Sequence, residues 1–223
     1  MTNGETEVLG KQLENAAEFL CQADPNQTRI LTCIGYFHDF ELCRLGLLFD
    51  IPTGFRHPAE NSKPYIITLL DIWSNKPPAH SLDQLVRLAR DISTAILYVH
   101  AVDWVHKDVC PQKILLLNEI GVTTEKARSG YLPQAFLLGL YSACSDLATS
   151  YCKGDEDWKA SIYRPPTRQM INKTQYRISF DIYSVGVILL GLALWGLPHF
   201  RQFVDMPQVF EKTSPTMREA AVM

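Results

Sequence analysis

A short polar loop that follows a long periodic segment and precedes an apolar run constrains the fold of this chain more than any other feature. The loop is VHKDVCPQK, and it leads directly into the apolar run Ile114–Leu117. Upstream of the loop, apolar side chains recur at steps of three and four residues: Leu85, Leu88, Ala89, Ile92, Ile96 and Val99. This spacing predicts an amphipathic helix that ends near His100, and the apolar run predicts a short strand. The loop must therefore connect the end of a core-facing helix to an apolar strand.

A second apolar segment, Ile182–Leu197, contains almost no polar residues and is bounded by Asp181 and Pro198. A helix that is apolar on all sides is either buried in a core or spans a membrane. The segment is shorter than the roughly 20 residues that a transmembrane helix needs. Three glycines also interrupt it. The sequence therefore favours a core helix over the alternative, a small membrane protein anchored by this segment.

The composition is that of an ordinary globular chain of one domain or slightly more, with 223 residues and a formal net charge of −3. That charge gives no indication of a surface for nucleic acids or anionic membranes, so we expect neither as a partner. The oligomeric state is left open.

The six cysteines are scattered, without a C-x-x-C pair or a histidine cluster at zinc spacing. We expect free thiols in a reducing compartment. The N-terminal sequence MTNGETEVLG lacks the basic start and apolar core of a signal peptide. These observations together predict a cytoplasmic location.

The polar loop resembles the catalytic loop H-R-D-x-x-x-x-N of protein kinases, with Lys107 in place of the arginine. Farther along the chain, SIYRPPTRQ resembles the end of a kinase activation segment. FDIYSVGVILLGLALWGL resembles the start of the central helix of the large kinase lobe. The resemblance covers about Ile30 to Pro198. The phrases GYFHD, GLLFDIP and YRPPTRQ are most similar to divergent kinase-like domains of filamentous fungi.

This resemblance implies an α+β, protein-kinase-like fold. Residues 1–52 would form a reduced small lobe and hinge, with one helix over Glu5–Gln22 and strands over Ile30–Phe37 and Arg44–Phe49. Residues 53–223 would form a mainly helical large lobe that is cut short after its central helix. No G-x-G-x-x-G sequence occurs, and no strand that could supply the phosphate-binding lysine precedes the first helix. We therefore expect a domain that is truncated at both ends.

The family's functional positions fall on specific residues of this chain. In the catalytic loop, Asp108 would accept the proton of a substrate hydroxyl, and His106 and Lys107 complete the motif. Asp181 would support the loop from the start of the central helix. The residues expected to surround a nucleotide are Phe49, Asp50, Ile51, Lys113 and Leu115.

Two positions depart from the family pattern in a way that matters for metal binding. Lys113 stands where the family has the magnesium-binding asparagine, and Gly139 stands where D-F-G has its aspartate. An ammonium group has no lone pair for Mg²⁺, which takes oxygen ligands, and glycine has no side chain. We therefore predict no metal ligands and no Mg²⁺ requirement. Lys113 is either a substitute cation for a nucleotide phosphate or a solvated lysine at the edge of the loop.

Two functions from different classes follow from these residues. The first is a catalytically impaired pseudokinase that acts as a binding or scaffold module for a protein partner, with ATP kept as a candidate ligand. The alternative is an ATP-dependent Ser/Thr-type protein kinase that is active as part of a longer chain. The missing metal ligands favour the first, and the preserved Asp108 and Asp181 keep the second open.

Overall fold

A computed structural model of the chain describes residues 3–39, 44–55, 67–74, 80–119, 131–140, 144–145, 162–169 and 176–194. The helices are α1 (Asn3–Leu20), α2 (Pro25–Thr28), α3 (Leu69–Ser74), α4 (Leu82–Ala101), α5 (Pro166–Gln169) and α6 (Ile178–Ala193). The strands are β1 (Cys33–Asp39), β2 (Arg44–Phe49), β3 (Ile67–Thr68), β4 (Trp104–Val105), β5 (Ile114–Leu117), β6 (Gln134–Leu137) and β7 (Cys144–Ser145). Thr53–Phe55 and Pro111–Lys113 are single 3₁₀ turns.

The helix α1 packs against the antiparallel hairpin of β1 and β2. Leu13, Ala16 and Leu20 are buried at the three-to-four-residue spacing of one helix face. The helix predicted over Glu5–Gln22 is confirmed, although it ends two residues earlier, at Leu20. A new helix then begins at Pro25, because the Asp24 side chain accepts a hydrogen bond from the Asn26 amide and caps it.

The first predicted strand begins later than expected. The sequence predicts a strand over Ile30–Phe37, but β1 begins at Cys33. Ile30 instead makes an isolated parallel bridge with Leu137, and the Leu137 amide donates to the Arg29 carbonyl at 2.9 Å. Arg29 and Ile30 are therefore attached to β6.

The strand β5 lies at the centre of an antiparallel sheet with the order β3-β5-β6. All four of its residues are buried, as a strand covered on both faces requires. Leu115 lies opposite Phe136 on one side and opposite Thr68 on the other. The apolar strand predicted after the loop is thus confirmed.

The long helix α4 supplies the middle of the core, between β6 and α6. Its buried residues are Leu88, Asp91, Ile92, Ala95, Ile96 and Val99. Asp91 is a buried charge, and the Nε atom of Arg29 lies 2.9 Å from its carboxylate. This pair ties the segment before β1 to the long helix.

The helix α6 corrects the prediction for the second apolar segment. It begins at Ile178, and Asp181 lies within its first turn. A carboxylate in the first turn is stabilised by the helix dipole and the unpaired amides there. One face is buried, whereas Ile182, Tyr183 and Leu190 on the other face are exposed. The expected burial on all sides was therefore wrong for the described part of the helix; residues 195–198 lie outside the described residues.

Within the described ranges, no helix combines the length and the apolar character needed to span a bilayer. The described residues form a mixed arrangement of helices and small antiparallel sheets. This arrangement is compatible with the kinase-like architecture that the sequence predicts. The division at residue 52 and the truncation of both lobes stay predictions.

Candidate functional site

The polar loop is organised around the buried carboxylate of Asp181. The backbone amides of His106 and Lys107 donate to it at 2.7 and 3.0 Å. The Tyr176 hydroxyl donates at 2.8 Å, and Nε2 of His100 lies 3.1 Å away. Asp181 itself has no exposed surface. Asp181 therefore lies beside the backbone of the loop and accepts hydrogen bonds from two of its amides.

The backbone of Lys107 makes this convergence of amides possible. Its φ angle is +70°, in the left-handed region that non-glycine residues rarely adopt. Two consecutive amides can then point to one anion, an arrangement of backbone dipoles that favours negative charge. The strained residue is therefore held by the carboxylate that it helps to bind.

Burial alone would raise the pKa of Asp181. The hydrogen bonds from His100, from the His106 amide and from Tyr176 outweigh burial, so the pKa of Asp181 is lowered. Burial raises the pKa of Tyr176 well above its ordinary value, and its hydroxyl therefore stays a donor. Asp181 is thus an ionised carboxylate whose charge is balanced by donors and not by solvent.

His106 is fixed in one neutral form. Its ring is fully buried, and burial lowers its pKa despite the nearby carboxylate of Asp181. Its Nε2 atom lies 2.8 Å from the Leu138 carbonyl, which can only accept, so Nε2 carries the hydrogen. The Asp108 amide donates to Nδ1 at 3.3 Å. His106 therefore connects the loop to the segment after β6 and holds the backbone of Asp108.

Asp108 and Lys113 form an ion pair at the open side of the loop. The Lys113 Nζ atom lies 3.5 Å from Oδ2 of Asp108, and the two side chains are 27% and 31% exposed. The backbone of Lys113 is held as well, because its carbonyl accepts from the Leu138 amide at 2.8 Å. The candidate base of the loop is thus already engaged by the cation that stands at a predicted metal-ligand position.

Gly139 lies next to the side chain of Lys113. Its φ angle is +90°, a conformation that favours glycine. A Cβ atom added there would lie 3.0 Å from Cδ of Lys113 and 3.4 Å from Cε1 of His106. The two positions at which the family pattern places metal ligands are therefore neighbours in space. Among the described residues, no group of three or more His, Cys, Asp or Glu side chains is placed to hold a metal ion.

The residues predicted to meet an adenine lie in a separate apolar cluster. Leu115 is only 4% exposed and packs with Leu31, Leu117 and Phe136. Phe49, Ile51, Phe55 and Leu138 cover this group. The Asp50 amide donates to the Thr32 carbonyl at 2.9 Å. The structure brings Phe49, Ile51 and Leu115 together, but it closes the surface of Leu115; their role in binding a nucleotide stays a prediction.

Two members of the Asp181 network were missed by sequence reasoning. The sequence pattern marks His100 only as the end of a helix, and it gives Tyr176 no distinctive position. His100 is 81 residues from Asp181 along the chain, so no spacing rule connects them. Tyr176 is five residues away, but it precedes the helix and follows no periodic pattern. A buried aspartate in need of donors was the one available signal.

Comparisons with known proteins agree with the resemblance at a coarse level. No protein-family model matches the chain. Its sequence is similar to the serine/threonine-protein kinase ATG1 of Pichia angusta, with 24% identity over 209 residues that cover 85% of this chain and 24% of that protein. It is also similar to the serine/threonine/tyrosine-protein kinase HT1 of Arabidopsis thaliana, with 27% identity over 131 residues, 58% of this chain and 29% of that protein.

A third similar protein is the inactive tyrosine-protein kinase RYK of Caenorhabditis elegans, with 24% identity over 184 residues that cover 81% of this chain and 29% of that protein. The chain thus spans 24% to 29% of the length of these three relatives. All three are protein kinases by name. The comparisons therefore support a protein-kinase-like superfamily for the chain.

Proposed function

We propose that this kinase-like domain is a pseudokinase, a binding or scaffold module without phosphoryl-transfer activity. The observation that carries the proposal is the ion pair between Asp108 and Lys113, with a distance of 3.5 Å between Nζ and Oδ2. Phosphoryl transfer depends mainly on positioning and on neutralising the phosphate charges, and metal ions do most of that neutralisation. Here a lysine ammonium holds the candidate base and stands where an oxygen ligand is needed.

The burial of Leu115 supports the same proposal, because it argues against tight nucleotide binding. A residue beneath an adenine ring must present apolar surface to the ligand, but Leu115 is 4% exposed and already covered by side chains of the fold. A nucleotide would have to displace packed apolar groups such as Phe55, whose ring meets Phe136 edge to face. We therefore expect weak ATP binding, without any dependence on Mg²⁺.

Transfer activity can be tested with purified chain, radiolabelled ATP, Mg²⁺ or Mn²⁺ and a generic protein substrate. We expect incorporation at the background level for the unmodified chain and for Asp108→Ala alike. The matched control is Asp83→Ala, which removes an exposed carboxylate from the first turn of α4. Transfer by the unmodified chain and by Asp83→Ala that is lost in Asp108→Ala would show the proposal to be wrong.

Nucleotide binding is tested separately by thermal unfolding with ATP, in the presence and absence of Mg²⁺. A ligand at 100 times its dissociation constant stabilises a protein by about 2.7 kcal/mol, which is readily measured. We expect a small shift or none, equal in the two conditions. A clear shift that requires Mg²⁺ would contradict the proposed metal independence.

The alternative, an active kinase completed by parts of a longer chain, is favoured by the Asp181 network. The loop that carries Asp108 is anchored by donors from His100, His106, Lys107 and Tyr176, as an active loop would need. Fusion of this chain to the small-lobe strands of an active kinase distinguishes the two functions. Transfer by the fusion that depends on Asp108 would favour the alternative, and its absence would favour the pseudokinase.

A protein partner is part of the proposal, and the hairpin of β1 and β2 supports it. Four large apolar side chains are exposed there, at 41–67% of their surface: Ile34, Tyr36, Phe37 and Leu48. Grouped apolar exposure of this kind is typical of interaction surfaces. A photoreactive phenylalanine analogue at Leu48 should yield a discrete protein adduct in extracts, and the same analogue at exposed Glu14 should not. Equal labelling from both positions would remove this support.

The finer classification belongs to the proposal as well. The phrases GYFHD, GLLFDIP and YRPPTRQ support a divergent domain of the type found in filamentous fungi. Scattered cysteines without a C-x-x-C pair support a cytoplasmic location. A fluorescent fusion that collects in the secretory pathway would contradict that location.

A further inference from the structure

Gly139 and Lys113 fit each other sterically. A Cβ atom at residue 139 would lie 3.0 and 3.3 Å from Cδ and Cγ of Lys113, closer than ordinary van der Waals contact. Neither backbone can easily move away. The Leu138 amide donates to the Lys113 carbonyl at 2.8 Å, and Nε2 of His106 holds the Leu138 carbonyl at 2.8 Å. The stem of Lys113 therefore occupies space that a side chain at residue 139 would need.

The far end of Lys113 is held too. Its ammonium lies 3.5 Å from Oδ2 of Asp108, so the side chain runs from its backbone tie at Leu138, across Gly139, to the carboxylate of the loop. Mg²⁺ requires oxygen donors in near-octahedral geometry. The residues at this place are the Asp108 carboxylate, which is already paired with Lys113, the Lys113 ammonium and Gly139, which has no side chain. These residues do not fit a divalent metal.

We propose that Lys113 is an internal replacement for the divalent cation, and that Gly139 is required to accommodate it. This inference rests on the proposed pseudokinase function and goes beyond it, because it makes the two substitutions interdependent. A carboxylate at residue 139 would collide with the lysine stem or be neutralised by its ammonium. Restoring either family residue alone should therefore fail to create a metal site, whereas restoring both should succeed.

A double-mutant cycle on stability tests the steric part. Gly139→Ala is introduced into the unmodified chain and into Lys113→Ala, and urea unfolding midpoints are compared. The strain of an alanine at φ +90° is present in both backgrounds, so it cancels in the difference. We expect a clearly larger midpoint loss in the unmodified chain than in Lys113→Ala. Lys11→Ala, on the exposed face of α1, is the matched control and should leave the effect of Gly139→Ala unchanged. Equal losses in the unmodified chain and in Lys113→Ala would overturn the inference.

Binding of Mn²⁺, followed by the loss of the free-ion electron paramagnetic resonance signal, tests the metal part. We expect the double variant Lys113→Asn with Gly139→Asp to bind Mn²⁺ about tenfold or more tightly than either single variant. A Gly139→Asp single variant that binds as tightly as the double variant would overturn the inference and leave the pseudokinase proposal intact. Binding by the unmodified chain that is lost in Asp108→Ala would overturn both. If the aspartate variants fail to fold, the alanine cycle decides the inference.

Discussion

Removing the carboxylate of Asp181 should destabilise the domain far more than removing that of Asp108. Asp181 has no exposed surface, and three of its donors are themselves buried: the amides of His106 and Lys107 and the hydroxyl of Tyr176. Each buried donor that loses its acceptor costs about 1–3 kcal/mol. Local relaxation and entry of water reduce the simple sum, so we expect Asp181→Ala to cost about 3–5 kcal/mol.

Asp108 provides the matched comparison, because it is the same residue type in the same loop. Its carboxylate is 31% exposed and its ion pair with Lys113 is open to solvent. Ion pairs of this kind contribute about 0–1 kcal/mol. The Asp108 amide, which binds His106, is unaffected by a change of the side chain. Asp108→Ala should therefore change the free energy of unfolding by less than about 1 kcal/mol.

The measurement is urea unfolding followed by fluorescence of the partly buried Trp73 and Trp104. For a small protein the free energy of unfolding changes by about 1–3 kcal/mol per molar urea, so Asp181→Ala should lower the midpoint by about 2 M. A domain of this kind is only about 5–15 kcal/mol stable, so at the lower end of this range Asp181→Ala leaves little of the chain folded. Asp181→Asn is a milder variant that should still fold. It keeps one acceptor oxygen but turns an amide group towards a backbone donor, so it should lower the free energy of unfolding by about 1–3 kcal/mol.

The prediction is tested by the order of the unfolding midpoints of the three variants. We expect Asp181→Ala to be the least stable, Asp181→Asn to be intermediate and Asp108→Ala to be close to the unmodified chain. Equal midpoints for the two alanine variants would refute the placement of the loop over the first turn of α6. An Asp181→Asn variant as unstable as Asp181→Ala would show that the charge, and not the hydrogen bonds, holds the loop.

Three further predictions follow from burial and close contacts. Gly191→Ala should destabilise the chain, because the added Cβ would lie 2.6 Å from Cη2 of Trp73. Gly186→Ala in the same helix meets nothing within 4 Å and should stabilise the chain by up to about 1 kcal/mol. Unfolding midpoints that move in the same direction for both variants would contradict this prediction. Burial lowers the pKa of His106, so only the unfolded chain protonates this imidazole as the pH falls below about 6.5. The free energy of unfolding should therefore decrease towards lower pH, with a slope of up to about 1.4 kcal/mol per pH unit. The difference between the stability curves of the unmodified chain and His106→Gln measures this, and a flat difference between pH 6.5 and 4.5 would be against it. Burial raises the pKa of Cys110 to about 11, so iodoacetamide at about pH 8 should modify the exposed Cys21 and leave Cys110 unmodified. Peptide mass spectrometry measures both modifications, and equal modification of the two cysteines would show that the loop around Cys110 is open.

The predictable parts of the fold were those with strong local patterns. The periodicity around Leu88 and Ile92 placed α4 to within one residue at its end, because one helix face is buried along its whole length. The strand β5 was also evident, since four apolar residues after a polar loop have few other solutions. Leu115 was correctly placed within that strand. The closed cluster around it was not foreseeable, because Phe136 and Phe55 reach it from distant parts of the chain.

The errors arose where tertiary contacts override a local pattern. The sequence pattern assigns Ile30 to β1, yet Ile30 pairs with Leu137, more than 100 residues away. The sequence places Asp181 at the start of the central helix, but it does not show which groups the carboxylate meets there. In the structure the carboxylate lies in the first turn of α6 and accepts hydrogen bonds from amides of the distant loop. Neither partner could be read from spacing alone.

The residues that hold the loop in place differ from the residues that would carry out chemistry on it. The groups that hold the loop, Asp181 and the ring of His106, are buried. Their partners include backbone amides of the loop and the Leu138 carbonyl, together with the side chains of His100 and Tyr176. The groups that would do chemistry, Asp108 and Lys113, lie at the open side and contribute little to stability. A change at the open side therefore alters the chemistry without unfolding the loop. The geometry of the loop therefore does not depend on transfer activity, because the hydrogen bonds to Asp181 hold its backbone.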